Sequence, residues 1–338
     1  MSSATTGTRS VAPSVTAVYV SWRDTELLLE SIAHLAASSP GAEEAPPDRS
    51  PALSLVVVVN EARGSEAEQI ERTWPGATVI ANQANRGFGP AANLGAAAAP
   101  GEVLLFLNPD TRAVSDLASE VVRAFRESPS AVAVAPRLED ADGGRGEGQH
   151  EFQLRRLPTL AADARDLLLV DRLLPGNRWR RRDRYLDADR ERPFPVEQAA
   201  AAGLAVRRSA FQAVGGFDER FVPAWWEDVD LCLRLRKAGD ILFWPSARLE
   251  HIGGVSADAL GEAGFLRAYY QNALRYRAKH YGMPVSVAYR ALLVVGMLLR
   301  AVASLVPSAR RGRLRDSVDG YVSVIRLALN PGAADGAG

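Results

Sequence analysis

At 338 residues, 47% hydrophobic and 24% charged, the chain has globular composition and enough length for one large or two ordinary domains, which excludes a disordered protein and a disulfide scaffold. Forty basic and forty acidic side chains cancel to a formal net charge of +0, so no global field argues for a nucleic-acid partner, although charge can still be segregated locally. The single cysteine, Cys232, and an amino-terminal stretch without an apolar segment of signal-peptide length suit a reducing, cytoplasmic setting.

Residues 15–20 read as a buried strand and 24–37 as an amphipathic helix with Asp24 as its cap. The Pro- and Ala-rich stretch 38–52 has no periodicity and reads as a flexible surface loop. A strand at 53–59, a short helix at 66–73, a strand at 77–81 and an alanine-rich helix at 88–99 follow, and such alternation predicts a parallel sheet with ligands along one edge. Residues 103–107 are an uninterrupted apolar run, expected of a strand buried on both faces, and it stops at Asn108-Pro109-Asp110 because proline cannot donate to a ladder. Asp110 therefore sits at a strand's carboxyl end, placed either to meet a ligand or to cap a helix at 114–126. A strand at 131–135 precedes a turn-rich, basic region at 136–195 that includes Arg178-Trp179-Arg180-Arg181-Arg182 and reads as mobile until something binds.

Order returns with a strand at 204–206, a helical turn at 209–214 and a helix at 226–238 that starts on Glu227, Asp228 and Asp230. Acids at a helix start are favoured by the macrodipole, so capping and chemistry are both open for them. A strand at 241–244 leads to His251 in a glycine-containing turn. Residues 263–315 then contain no Asp or Glu, while Arg267, Arg275, Arg277, Lys279, Arg290, Arg300, Arg310, Arg311, Arg313 and Arg315 accumulate. The apolar stretch 285–306 is interrupted by Arg290 and Arg300, whereas a spanning helix wants roughly 20 largely uncharged residues. It reads as a helix lying on an anionic membrane surface with snorkelling arginines, the alternative being an amphipathic helix packed on its own domain or in a dimer.

No GxxxxGK[ST] loop, HExxH, paired CxxC or GxSxG occurs. Gly87-Phe88-Gly89-Pro90-Ala91-Ala92 matches a loose GxGxxA pattern, but Asn82 to Arg86 separate it from its strand and the unit is not the first, so an NAD(P) oxidoreductase is the weaker alternative.

The segments AVYVSW, NRGFGPAANLG, LLFLNPDT, AGLAVRRSAFQAVGGFDERF, WEDVDLCLRLRKAG and His251 occur in an order that resembles family-2 inverting glycosyltransferases of the GT-A fold, especially rhamnosyltransferase-like members, over roughly residues 14–282. The resemblance implies an α/β, Rossmann-like, mostly parallel sheet flanked by helices, with a nucleotide-sugar-binding half at 14–140, a variable basic loop region at 141–194 and an acceptor half at 195–282. A basic amphipathic, membrane-associating helical extension at 283–330 and disordered tails at 1–13 and 331–338 complete the expectation. It implies Asp228 as general base with Glu227 orienting acceptor or base, and a divalent ion, Mg²⁺ or Mn²⁺, held by Asp110 and His251, although an isolated histidine is also a common structural residue. Donor contacts are expected from Ser21, Asn60, Asn85, Gly87, Phe88, Asn93, Asn108 and Asp110. Acceptor contacts are expected from Gly203, Trp225 and Trp226, the two tryptophans either stacking on sugar or filling core.

Two positions depart from the family pattern. Asn60-Glu61-Ala62-Arg63 stands where relatives carry Asp-Asn-x-Ser, and Asn108 replaces the first acid of DxD. Asn60 could still accept from a pyrimidine N3–H, which keeps a dTDP- or UDP-sugar in view. The implied protein is a peripheral enzyme on the inner face of the cell membrane that moves a sugar, rhamnose being one choice, to a lipid-linked or cell-envelope glycan. A catalytically weak nucleotide-sugar-binding scaffold is the alternative.

Overall fold

The computed structural model describes residues 13–39, 52–141, 147–252, 255–304 and 314–330. Residues 40–51 of the loop expected at 38–52, residues 1–12 of the tail expected at 1–13, the tail at 331–338, the glycine-rich 142–146 and Arg310, Arg311 and Arg313 lie outside the described residues.

The amino-terminal half runs β1 (Val15–Ser21), α1 (Thr25–Ser38), β2 (Leu53–Asn60), α2 (Glu66–Thr73), β3 (Thr78–Asn82), α3 (Phe88–Ala98), β4 (Val103–Leu107), β5 (Thr111–Ala113), α4 (Leu117–Glu127) and β6 (Ala131–Asp140). The expected loop region then holds α5 (Glu147–Gln153), β7 (Leu154–Arg155), α6 (Leu160–Leu167), α7 (Val170–Leu173), α8 (Arg178–Asp183), β8 (Phe194–Val196) and β9 (Gln198–Ala199). After these come β10 (Gly203–Arg207), α9 (Arg208–Ala213), α10 (Glu227–Leu235), β11 (Asp240–His251), α11 (Val255–Ser304) and α12 (Leu314–Leu329).

The main sheet has the order β3-β2-β1-β4-β10-β6-β11-β5, with β8 on β11. β1 to β4 pair in parallel, whereas β10 runs antiparallel between β4 and β6, so the sheet is mixed. Alternation along β1 sends Val15, Ala17 and Tyr19 to a face covered by α1 and α4, and Val18 and Val20 to a face covered by α3, α9 and α10. The sole cysteine, Cys232, is buried in that second face and donates its thiol to Ala199 O at 3.5 Å.

A third apolar cluster lies beside the sheet, where Leu167, Phe221, Trp226 and Val229 meet Tyr276, Tyr289, Leu293 and Met297 of α11 and Val324 of α12. α11 is broken at Gly261 and Gly282, whose φ values of 69° and 74° leave helical space, and Pro284 suits the restarting turn because its missing N–H would have no partner there. Residues 283–304 do two things at once. Tyr289, Leu293 and Met297 pack on protein, while Met283, Val287, Val295, Leu298 and Val302 face outward. The snorkelling expected of Arg290 and Arg300 is not their role. Arg290 donates to the carbonyls of Leu327 and Ala328 at the end of α12, and Arg300 to Leu167 O and Asp166 O at the end of α6. Cations at helix carboxyl ends satisfy orphan carbonyls and the dipole.

The mobile basic loop is likewise corrected. Residues 147–183 hold the helices α5 to α8 and the short strand β7, anchored by the buried Leu154 and Leu167 and by ion pairs such as Arg165 with Asp171 and Asp183. Arg277, 2% exposed, ties α6 to α11 through Asp163 at 2.5 Å while its guanidinium lies 3.6 Å from the Tyr289 ring centre and 4.6 Å from that of Trp226.

Candidate active site

A cavity of about 740 Å³ opens at the carboxyl ends of β1, β2, β4 and β11, beside the start of β10. The strand order reverses direction between β1 and β4, and a crevice at such a switch point is where open α/β sheets bind ligands. Asn108, Asp110, Glu227, Asp228 and His251 all line it.

Asp110 follows β4 in a turn closed by Thr111, whose N–H and hydroxyl both donate to Asn108 O, at 3.2 and 2.7 Å. It does not cap the next helix. That helix begins at Leu117, and Asp116 caps it by accepting from Ser119 N at 3.1 Å. The turn feeds β5, which pairs with the end of β11 so that Thr111 lies opposite His251. His251 is therefore the last residue of a strand rather than part of a turn, and its Nε2 comes within 3.3 Å of Asp110 Oδ1. Gln149 of α5 fixes the ring. Its Nε2 donates to His251 O and its Oε1 faces His251 Nδ1 at 2.8 Å, which puts the imidazole proton on Nδ1. His251 Nε2 is then a buried lone pair with no hydrogen-bond partner, aimed at a carboxylate. A nitrogen and an oxygen facing each other in this way fit a divalent cation between them. Among the described residues no group of three His, Cys, Asp or Glu forms a cage, the count expected of an ion that takes its other ligands from phosphate and water.

At the end of β2, Asn60 is buried and its amide is spoken for. Nδ2 donates to Asn85 Oδ1 and Gly87 O, while Oδ1 accepts from Asn82 Nδ2 and Arg86 N. Both lone pairs of the oxygen are used, so the expected pyrimidine contact gives way to a different job, holding the NRGFG loop. Asn85 Oδ1 also accepts from Gly87 N. Gly87 has φ +88°, and a Cβ there would stand 2.8 Å from Val222 and 2.9 Å from Pro223 O, so only glycine lets the loop seat Phe88 at the cavity. Asn93 points away. Its side chain pairs with both backbone groups of Phe217, tying α3 to the turn before α10. Ser21 is 3% exposed and does not line the cavity. Gly203 does not line it either, and a Cβ there would meet Leu249 at 2.6 Å, so this glycine serves sheet packing.

Glu227 and Asp228 open α10 on the far wall. Asp228 accepts from Val229 N at 2.7 Å and from the Ala201 backbone, so it caps its own helix and faces the cavity together. Burial raises its pKa above the ordinary aspartate value, against those backbone donors and the charge of Arg155. Glu227 is raised further, by burial and then by Asp228, and its Oε2 has no partner. Of the two, Glu227 holds its proton the more tightly, which leaves Asp228 the readier to ionise. Asp230 is structural, wholly buried among Arg234, Lys279 and His280. Trp226 fills core against Tyr269 and Tyr276 and also lines the cavity, and Trp225 lines the same wall against Phe265.

Asp24 belongs to the site unannounced. It makes no cap bond and lines the cavity, where burial and then the charge of Asp110 raise its pKa. Gln149 and Phe152, the latter stacked on His251 with ring centres 6.3 Å apart, were equally hidden, because they reach the site only through the unexpected helix α5.

The model of the family described as "Glycosyl transferase family 2" matches residues 25–214, more than half of the chain. The chain belongs to that family. As a family-2 glycosyltransferase it is 28% identical, over 278 residues, to the N-acetylglucosaminyl-diphospho-decaprenol L-rhamnosyltransferase of Mycobacterium tuberculosis, covering 78% of this chain and 87% of the relative. Among solved structures it superposes on GalNAc-T7 with UDP, GalNAc and Mn²⁺ at TM-score 0.55 and 13% identity, over 96% of this chain, and spans 57% of that one. It also superposes on the mannosyltransferase PcManGT of Pyrobaculum calidifontis, in complex with GDP-Man and Mn²⁺, at TM-score 0.55 and 14% identity, covering 95% and 88% of the two chains. The glycosyltransferase therefore has the GT-A fold.

Proposed function

We propose that this glycosyltransferase moves a sugar, rhamnose in the first instance, from a dTDP- or UDP-linked donor to a lipid-linked glycan, with inversion at the transferred carbon. The name of the mycobacterial relative supports the sugar and the acceptor class. The observation that carries the mechanism is Asp228, a carboxylate held by backbone N–H groups and lining one cavity with Asp110 and His251.

Backbone N–H groups of Val229 and Ala201 hold the Asp228 carboxylate, which is placed to receive the proton of the acceptor hydroxyl. As that proton moves to Asp228, the acceptor oxygen forms the bond to the sugar carbon from one side and the bond to the diphosphate breaks on the other. A single base suffices, and no covalent sugar-enzyme bond is needed. Burial and the neighbouring charge raise Glu227 more than Asp228, so ionisation of the pair falls on Asp228, the carboxylate assigned the base role. Asp110 and His251 Nε2 would hold Mg²⁺ or Mn²⁺, which when bound neutralises charge gathering on the departing diphosphate. Asn108 adds no charge beside them.

Asp228→Asn should cut transfer by about 10² to 10⁴ while the thermal stabilisation by nucleoside diphosphate persists. Wild-type turnover in that variant would remove Asp228 from the base role.

The outward apolar face of residues 283–302, within a helix whose most apolar 18-residue window has mean hydropathy 1.8 and is 28% buried, supports peripheral binding to the inner face of an anionic membrane. The full chain should float with anionic liposomes, and Val287→Asp/Leu298→Asp should stay at the bottom of the gradient. A full-length protein that never floats rejects the membrane reading.

A further inference from the structure

The wall made by α5 to α8 carries more positive charge than it can pair. Glu151 is the centre of a knot of arginines. Its carboxylate takes Arg180 and lies 3.9 Å from Arg184, while its carbonyl oxygen accepts from Arg155 Nε at 3.2 Å and from Arg184 Nη1 at 3.0 Å. Two guanidiniums thus share one carboxylate, and the third, Arg155, reaches only the carbonyl of the same residue. The neighbouring acids are engaged elsewhere, Asp171 and Asp183 by Arg165, Asp163 by Arg277, and Asp166 by Arg300 at 3.6 Å. Among the described residues no carboxylate pairs with Arg155. All three arginines line the cavity, and the Arg180 and Arg184 side chains are only 20% and 26% exposed. Cations gathered in a half-buried wall repel one another, and burial followed by the charge of Arg155 lowers the pKa of Arg184 despite Glu151. Such a group is stable when an anion with several oxygens completes it, and forked guanidinium donors match phosphate oxygens best.

The position separates this group from the Asp110 side. Arg155 lies over the Phe152 ring, 5.9 Å from its centre, and Phe152 in turn stacks on His251, which faces Asp110. Two ring contacts therefore stand between Arg155 and the carboxylate assigned to the donor's diphosphate. In the other direction the charge of Arg155 reaches Asp228. An anion held here sits on the side of the base, where the acceptor hydroxyl must be.

We propose that Arg155, Arg180 and Arg184 form a second anion site that takes the diphosphate linking the acceptor sugar to its lipid, placing that sugar's hydroxyl at Asp228. The proposal rests on the transferase reading above and specifies its acceptor as a sugar diphosphate rather than a neutral glycolipid. The transfer step is unchanged, with the acceptor's own phosphate bonds intact.

The test uses the full-length protein and inorganic pyrophosphate as probe, titrated calorimetrically after saturation with UDP or dTDP. Wild type should bind pyrophosphate with the nucleotide in place. Arg155→Gln and Arg184→Gln should each weaken that binding about tenfold or more, as expected for loss of a charge-assisted contact, while Arg155→Lys retains most of it. Nucleotide affinity should move far less, and the KM for a lipid-diphosphate acceptor should rise with the pyrophosphate constant. Arg155 has no carboxylate partner to orphan, so Arg155→Gln should melt with wild type; should it not, Arg155→Lys and Arg184→Gln carry the comparison. Pyrophosphate that binds only by displacing the nucleotide, or substitutions that weaken nucleotide and pyrophosphate equally, would assign these arginines to the donor and overturn the proposal. Pyrophosphate binding beside nucleotide in a protein that transfers no sugar would instead defeat the transferase reading and leave the anion site standing. Turnover with an acceptor KM untouched by Arg155→Gln does the reverse.

Discussion

The two walls of the cavity are built by different means. The β1 to β4 wall is made of parallel strands and backbone turns held by neutral hydrogen bonds, as Asn108 is by Thr111 and the NRGFG loop is by Asn60. The opposite wall, from α5 to α8 with α10 and α11, is held by long-range charge and ring contacts such as Arg277 with Asp163, Tyr289 and Trp226. The first wall presents backbone turns and amides suited to a nucleotide, a ligand of constant shape. The second presents charged side chains on surface helices, the part that can be altered for a different acceptor without disturbing the sheet.

If that contrast holds, Arg277→Met should be the most damaging structural change, because it strands the buried Asp163 carboxylate, already raised in pKa by burial. Breaking one partner of a buried pair costs about 3–5 kcal/mol, so denaturant unfolding should show a large loss, with the acceptor wall exchanging amide protons first. A loss under about 1 kcal/mol would mean the wall does not depend on that pair.

Asn60→Ala probes the other wall and should cost about 1–3 kcal/mol, since it leaves Asn82, Asn85, Arg86 and Gly87 without their shared partner. Here the expected accompaniment is weaker nucleotide binding through a loosened NRGFG loop, with acceptor KM little changed. Equal changes in both constants would erase the distinction between the walls.

The smallest effect is expected from Glu227→Gln. Burial raises this carboxyl above its ordinary 4.5, so the folded chain holds a proton that the unfolded chain has released. Wild-type stability from this group is full below 4.5 and is lost as pH rises toward the raised value. Glutamine removes that dependence, so the variant should gain on wild type as pH rises from acid to neutral and match it at low pH. A variant that gains most in acid would contradict the raised pKa.

Local pattern made much of the donor side legible. α2 was expected at 66–73 and spans Glu66–Thr73, and the apolar run at 103–107 is β4 itself, because strand and helix periodicity are properties of neighbouring residues. The helix start at Glu227 and the carboxylate after β4 were readable for the same reason. Legibility failed where pairing is distant. Residues 147–183 looked like mobile loop because arginine-rich sequence carries little apolar period, and their helices are stabilised by partners up to 134 positions away, as when Arg300 donates to Asp166 O. Motif position alone also assigned Ser21, Asn93 and Gly203 to ligands, whereas packing gives each a structural place.

By itself, then, the chain's sequence determined an α/β sheet, a carboxylate at its ligand edge, an acidic helix start and membership of a glycosyltransferase family, since each is carried by contiguous residues. Only the tertiary structure decided that His251 turns a free nitrogen toward Asp110, that Asn60 braces a loop, and that the basic middle of the chain folds into the wall facing Asp228. Those outcomes depend on which distant partner reaches a polar group first, and burial, not sequence spacing, settles that competition.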